Sequence, residues 1–255
     1  MRPIDKGNIP KIEGIDKAVA DYKEWRGDLL SRIGNYCSYC NMPLHDIPQV
    51  EHVIPKNPKA GIKKGSLLAW DNMLLACGAC NRAKSNKSIS KESHYIPDIN
   101  NTHLIYDYVV RFINHLKKGT QIVCIPFPKK NLTEQQKAKA QNTIELLKLN
   151  ESSYNNKTTD LRSKFRFETW YLANSLWRTA WNNWGSQKAN NFIPLLIEMA
   201  KSKGFFSIWY DAFKDVSEIK KALIDGFLGT DLKSFQSFSP FDAIPRNPEN
   251  ILDNI

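Results

Sequence analysis

Four of the five cysteines fall into two Cys-x-x-Cys pairs, Cys37-Ser38-Tyr39-Cys40 and Cys77-Gly78-Ala79-Cys80. Two such pairs supply the four thiolates of a tetrahedral structural zinc site. With no ligand position left for water, such a site holds a fold together and performs no chemistry of its own. The thiolates leave the centre with net negative charge, which nearby basic residues partly neutralise. A thioredoxin-like redox site would need a single Cys-x-x-Cys on a βαβ unit, and none is present. Five cysteines in 255 residues make a poor disulfide framework, so the thiols point to a reducing, cytoplasmic compartment where they are free to bind metal. Cys124, in the run Val123-Cys124-Ile125, reads as a small core residue.

The residues between the pairs carry more information. Positions 41–76 are too long for a minimal zinc-ribbon loop and must hold structure of their own. They contain Gln49-Val50-Glu51-His52-Val53-Ile54-Pro55-Lys56 and then Trp70-Asp71-Asn72-Met73-Leu74-Leu75-Ala76. The second pair runs directly into Asn81-Arg82-Ala83-Lys84-Ser85-Asn86-Lys87. Over residues 35–90 this order resembles the HNH nuclease family. That family has an acidic-His pair on a first strand, an Asn opening a second strand, and an Asn or His opening a helix. Zinc knuckles there pin a ββα-metal motif at both ends. The third element here is Asn81, the H-N-N variant of the pattern.

The residue types suit phosphodiester hydrolysis. An unperturbed histidine titrates near 6.5, so His52 would be mostly neutral and able to take a proton from water. The resemblance implies a second, labile divalent cation, Mg²⁺ or a similar hard ion, against the scissile phosphate. It makes Glu51 and Asn81 the candidate oxygen ligands and Asn72 the residue that holds the histidine ring. Lys56, Arg82, Lys84 and Lys87 are placed to meet backbone phosphates, which gives affinity without reading sequence. Glu51 stands where Asp is commoner, and its longer side chain moves the carboxylate. His45, His94, His103 and His115 lie outside the motif and read as structural.

Two further stretches narrow the resemblance. The opening Met1-Arg2-Pro3-Ile4-Asp5-Lys6-Gly7-Asn8-Ile9-Pro10 and the block Thr143-Ile144-Glu145-Leu146-Leu147-Lys148-Leu149-Asn150 are similar to the HNH-nuclease subunit family (PtuB) of Septu anti-phage systems, also found beside some retrons. Such nucleases are paired with an ABC-type ATPase. The chain itself has no P-loop, since Gly61-Ile62-Lys63-Lys64-Gly65-Ser66 has the wrong spacing. Any nucleotide dependence would therefore come from the partner.

The elements that must position these groups can be read more coarsely. Ala18, Tyr22, Trp25, Leu29 and Ile33 recur at helical spacing, which predicts an amphipathic helix over 16–33, broken by Gly34-Asn35. Gln49–Ile54 and Met73–Cys77 read as short strands, Leu104–Leu116 as helix, and Gln121–Ile125 as a strand. Pro126, Pro128, Lys129 and Lys130 form the best linker. Beyond it, Thr133 with Gln136 is a capping box that opens a helix. Phe167, Trp170, Trp177, Trp181 and Trp184 form an aromatic stripe, read as a buried helix face rather than a base-stacking platform. The expected fold is α+β and mostly helical. A zinc-stabilised ββα-metal core spans 35–130, an arm and helix occupy 1–34, and a helical region fills 131–255. With 16 basic against 14 acidic residues over 133–255, that last region is expected to dock a partner or pack on the core.

Charge and size agree with a soluble globular protein that meets a polyanion, either nucleic acid or an anionic membrane surface. The chain carries 36 Lys+Arg against 26 Asp+Glu, a net +10. Eight of those bases, against Asp71 alone, lie between Lys56 and Lys91. Such a balance favours a polyanionic partner. No apolar run reaches the length of a membrane span, and the amino-terminal residues lack the apolar core of a signal peptide. DNA is the favoured substrate, with RNA the alternative. A non-catalytic zinc-knuckle binding module and a stand-alone ribonuclease toxin are the competing readings.

Overall fold

The computed structural model describes residues 1–45, 48–58, 61, 64–115, 119–151, 160–181, 191–250 and 253–255. Lys59, Lys63 and Trp184 lie outside the described residues. The chain opens with a small hairpin, β1 (Lys11–Ile12) and β2 (Ile15–Asp16), in which Lys11 pairs with Asp16. A 3₁₀ turn at Tyr22–Glu24 follows, closed by a reciprocal capping box between Asp21 and Glu24. It runs into α1 (Trp25–Ile33), which buries Trp25, Leu29 and Ile33 and ends at Gly34 with φ of 74°. The helix expected from residue 16 therefore starts later. Asp16 is held in the hairpin, and the Asp21 cap fixes where helical geometry can begin.

After the first cysteine pair come β3 (Gln49–His52), a 3₁₀ turn at Trp70–Asn72, β4 (Met73–Ala76) and α2 (Gly78–Lys84). The two strands are antiparallel, with Glu51 opposite Leu74 and His52 opposite Met73. The Cys77 sulfur accepts from the Cys80 backbone N–H and so caps α2. Next is a longer hairpin, β5 (Tyr106–His115) with β6 (Gly119–Pro128). Within the helix expected over 104–116, residues 106–115 are thus a strand, Leu104 ends a 3₁₀ turn, and Leu116 lies outside the described residues. Tyr106, Tyr108, Val109, Val110, Phe112 and Ile113 are aromatic or β-branched, types that fit a pleated surface better than a helix.

The remaining elements are helical: α3 (Glu134–Leu147), α4 (Arg162–Ser175), α5 (Ile193–Lys203), α6 (Phe206–Ala212) and α7 (Ser217–Gly226). The Thr133–Gln136 capping box opens α3 as its sequence predicts. Two apolar cores result. The first joins α1, the cysteines, β4 and, from α3, Ala140, Ile144 and Leu147. The second joins α4 to α7 and receives Cys124 from β6. The helical region expected to begin at 131 is therefore divided, because α3 packs with the cysteine-bearing half. Trp177 packs edge-on against Phe213, and Trp181 meets Phe192, so these members of the aromatic stripe serve the second core.

Arg2 ties the two halves together. It is fully buried, donating to the Leu228 carbonyl at 2.6 Å and to the Ile33 carbonyl at 2.7 Å. Its guanidinium lies over the Tyr36 and Phe227 rings. No helix among the described residues is long and apolar enough to cross a membrane.

Candidate active site and metal centre

The four paired cysteines converge. Their sulfurs all lie within 4.8 Å of one another, and all four residues are buried. Cys40 and Cys77 sulfurs are 3.8 Å apart. A zinc tetrahedron with bonds of about 2.3 Å has sulfur–sulfur edges of about that length, so the donor set and its spacing fit zinc. Among the described residues this is the one His/Cys/Asp/Glu cluster close enough to hold a metal ion. A group that sequence reasoning did not single out completes it. Arg162, at the start of α4 and 3% exposed, points Nη1 at the Cys80 sulfur from 3.1 Å. The same guanidinium donates to the Leu147 and Lys148 carbonyls at the end of α3 and pairs with Asp160. It thus joins the metal centre to both helices, and it supplies positive charge where four thiolates would concentrate negative charge. A distant Arg carries no sequence signal for such a role.

Strand β3 presents its side chains alternately to two sides. On one side, Gln49 and Glu51 meet α2. Asn81 donates its amide N–H to Gln49 Oε1 at 2.7 Å, and Lys84, one turn later, pairs with Glu51 Oε1 at 2.6 Å. Tyr39, inside the first cysteine knuckle, donates its hydroxyl to Glu51 Oε2 at 2.5 Å. Lys84 also donates to the His52 carbonyl at 2.7 Å. Burial pushes the Glu51 carboxyl up, against the pull of Lys84 and of the Tyr39 hydrogen bond, and it drives the Tyr39 phenol well above its ordinary range.

This geometry changes two expectations. Lys84 was placed among the phosphate-contacting residues, yet it is completely buried and neutralises Glu51. Glu51 was a candidate cation ligand, yet it is 3% exposed and both its oxygens are engaged. In this arrangement Glu51 does not fit a labile cation, whereas Asn81, half-buried and donating through its amide nitrogen, keeps its carbonyl oxygen as a ligand atom. Lys84→Met should strand a buried carboxylate and cost about 3–5 kcal/mol, and removing both charges should recover much of it. Denaturant midpoints for Lys84→Met and for Lys84→Met with Glu51→Leu check this. Equal midpoints for wild type and Lys84→Met would remove the pair from the stabilising network.

His52 faces the other side. Its Nε2 lies 3.0 Å from the Leu67 carbonyl, and its ring rests against Tyr22 with centroids 4.5 Å apart. A carbonyl only accepts, so Nε2 carries the proton and Nδ1 the lone pair. His52 is buried, and that burial lowers the affinity of the ring for a second proton, aided by Lys56 and Lys84 and opposed by the Leu67 contact. Burial and the neighbouring cations thus favour the neutral imidazole, the form a general base requires.

Asn72 does not touch this ring; its side chain fastens the intervening loop. Its amide nitrogen donates to the Ile54 and Ser66 carbonyls, both at 2.9 Å, and its oxygen accepts from the Ile54 N–H at 2.7 Å. These bonds fasten the loop end next to Leu67, whose carbonyl orients His52. The closure is tight at Gly65, where an added Cβ would sit 2.1 Å from the Ile54 carbonyl oxygen and 2.7 Å from Asn72 Nδ2. Asn72→Ala should cost about 1–3 kcal/mol through the orphaned Ile54 and Ser66 groups. It should also lower kcat, and stopped-time cleavage assays paired with thermal melts check both. Unchanged kcat in a protein that melts early would leave Asn72 a purely structural residue.

Of the other basic residues, Arg82 and Lys87 are exposed and Lys56 is half-buried. The Lys87 ammonium also donates to the Ala83 carbonyl. Gln49 and Tyr39 escaped notice in the sequence, although both lie inside the motif: Gln49 two positions before Glu51, on the same side of the strand, and Tyr39 between two metal-spaced cysteines.

Residues 37–87 match the family described as HNH endonuclease. This segment, which holds the four cysteines, β3, β4 and α2, is thus an HNH endonuclease family domain, a class that acts on nucleic acid. No curated protein and no solved structure matched the chain.

Proposed function

We propose that the chain is a metal-dependent HNH endonuclease that hydrolyses phosphodiester bonds, with DNA as the favoured substrate. Its core is read as a ββα-metal unit made of β3, β4 and α2. The observation that carries the reading is His52. It lies inside the family-matched segment, and its Nε2 faces a backbone carbonyl, which makes Nδ1 the nitrogen that carries the lone pair. Nδ1 takes a proton from a water as its oxygen forms a bond to phosphorus, and the bond from phosphorus to the leaving 3′-oxygen breaks. Tyr22 and Leu67 hold the ring, Asn72 holds the loop, and Arg82, Lys56 and Lys87 draw the backbone in. Asn81 is the side chain with an oxygen to offer a hard divalent cation such as Mg²⁺, which would supply charge stabilisation at the reacting phosphate.

The wider role is read as the effector of a cytoplasmic anti-phage system of the Septu type, partnered by an ABC-type ATPase. The support is the likeness of the 1–10 and 143–150 stretches, together with the absence of a P-loop motif in this sequence. One observation favours a second reading, a non-catalytic zinc-knuckle module: the Glu51 carboxylate is occupied by Lys84 and Tyr39. Purification from the native operon, followed by cleavage assays on DNA and RNA with Mg²⁺ or with EDTA, separates these readings. The proposal expects Mg²⁺-dependent cutting and a co-purifying ATPase. Nucleic-acid binding without cutting would favour the module, and RNA cutting without an ATPase would favour a stand-alone ribonuclease.

A further inference from the structure

Tyr22 and Lys23 lie on the 3₁₀ turn ahead of α1, outside the segment that matches the HNH family. The Tyr22 ring is surrounded by groups from three places. The His52 imidazole is 4.5 Å from its centroid at an interplanar angle of 57°. The Lys56 ammonium is 4.1 Å from the centroid and the Lys23 ammonium 5.9 Å. The ring therefore gathers two cations beside the proposed general base. The 4.1 Å and 4.5 Å legs keep the Lys56 charge within a Debye length, ~10 Å at moderate salt, of the imidazole.

The two acids on this turn face backbone. Asp21 accepts from the Lys23 N–H at 2.8 Å, and Glu24 accepts from the Ala20 and Asp21 N–H groups. Lys23 is exposed and Tyr22 and Lys56 are half-buried, so the cluster is open to a ligand on one side.

We propose that Lys23, Tyr22 and Lys56 form a ledge that binds backbone phosphates of the nucleic acid on the side of His52 away from α2. The ledge rests on the nuclease reading and extends it, because the contact surface then includes the amino-terminal turn. Tyr22 holds the two ammonium groups by their attraction to its ring face, and the ammonium groups meet phosphate oxygens as point charges. The ligand is a nucleic-acid backbone, met without base readout.

The test titrates short fluorescent phosphorothioate DNA, single-stranded and duplex, and the matching RNA into zinc-loaded protein at several salt concentrations. Lys23→Gln, Lys56→Gln and the double variant are compared with wild type, with thermal melts as a fold control. Each Lys→Gln change should reduce the slope of log K against log salt by about 0.7–0.9, and the double variant should bind roughly tenfold more weakly at low salt. Tyr22→Leu, which removes the ring face, should bind more weakly. Lys23 is exposed, so Lys23→Gln alone gives a reading even if the double variant folds poorly. A wild type that binds while Lys23→Gln and Lys56→Gln keep its full salt slope overturns the ledge and leaves the nuclease reading standing. A wild type that binds none of the probes overturns both.

Discussion

Replacing His52 with alanine is expected to slow phosphodiester cleavage by about 10²–10⁴-fold, the usual contribution of a positioned general base. Metal content and folding should be retained. The expectation follows from what the side chain touches. Its ring contacts are the Leu67 carbonyl and the Tyr22 ring, while its backbone, through the carbonyl, holds Lys84. Alanine keeps that carbonyl and the β3–β4 register, so Glu51, Lys84 and the cysteine cluster should stay in place. Initial rates on a single substrate, zinc content and thermal midpoints of both proteins measure the three quantities together. A variant that cuts at the wild-type rate would remove His52 from the chemistry. One that loses its zinc or unfolds would make the loss structural.

Removal of the thiolate-held metal is expected to do more than lower activity. Chelation, or Cys77→Ser, should unfold the amino-terminal half and lower the thermal midpoint by more than about 10 °C. Structural zinc sites supply apparent binding free energies on the order of 10–16 kcal/mol in small zinc domains, comparable to the whole stability of an ordinary domain. The four cysteines sit in the same core as Met73, Leu74 and Leu75 of β4, each fully buried, and Cys77 also caps α2. The disturbance should travel further through Arg162, whose hydrogen bond to Cys80 fastens the ends of α3 and α4. Arg162→Met should therefore speed zinc release to a coloured chelator without removing a ligand. Cys124→Ser should leave zinc content unchanged, because Cys124 lies in the other core. Melting curves and metal analysis check each variant. An unchanged midpoint after complete metal removal would show that the cluster does not hold the fold.

Much of the site was legible because it is written locally. Cys-x-x-Cys spacing points to its own candidate ligands, and Glu51-His52, Asn72 and Asn81 follow in order between positions 51 and 81, wholly inside the segment that matches the family. Met73–Ala76 was readable as a strand because a short apolar run between turn signals leaves few alternatives, and Gln49–His52 because it carries the motif's acidic-His pair. What was not legible depends on partners far away in sequence. A lysine in a basic run reads as solvent-facing, and nothing near Lys84 announces that Glu51 and Tyr39 wait for it in the interior. Arg162 meets Cys80 across 82 positions. The strand at 106–115 was missed because Tyr106, Val109, Val110 and Ile113 also recur at steps of three and four, so periodicity alone could not decide against a helix. The packing of α3 with the cysteine half was hidden by a proline-rich stretch that reads as a linker but ends β6.

The central claim, that this chain cuts nucleic acid with His52 as base, is tested most directly on a covalently closed DNA circle. Zinc-loaded wild type and His52→Ala are incubated with it, with and without Mg²⁺, alone and with the co-purified ATPase. Nicked or linear DNA from wild type with Mg²⁺, and an intact circle from His52→Ala under the same conditions, is the predicted result. Equal cutting by both proteins, or an intact circle under every condition, would contradict it.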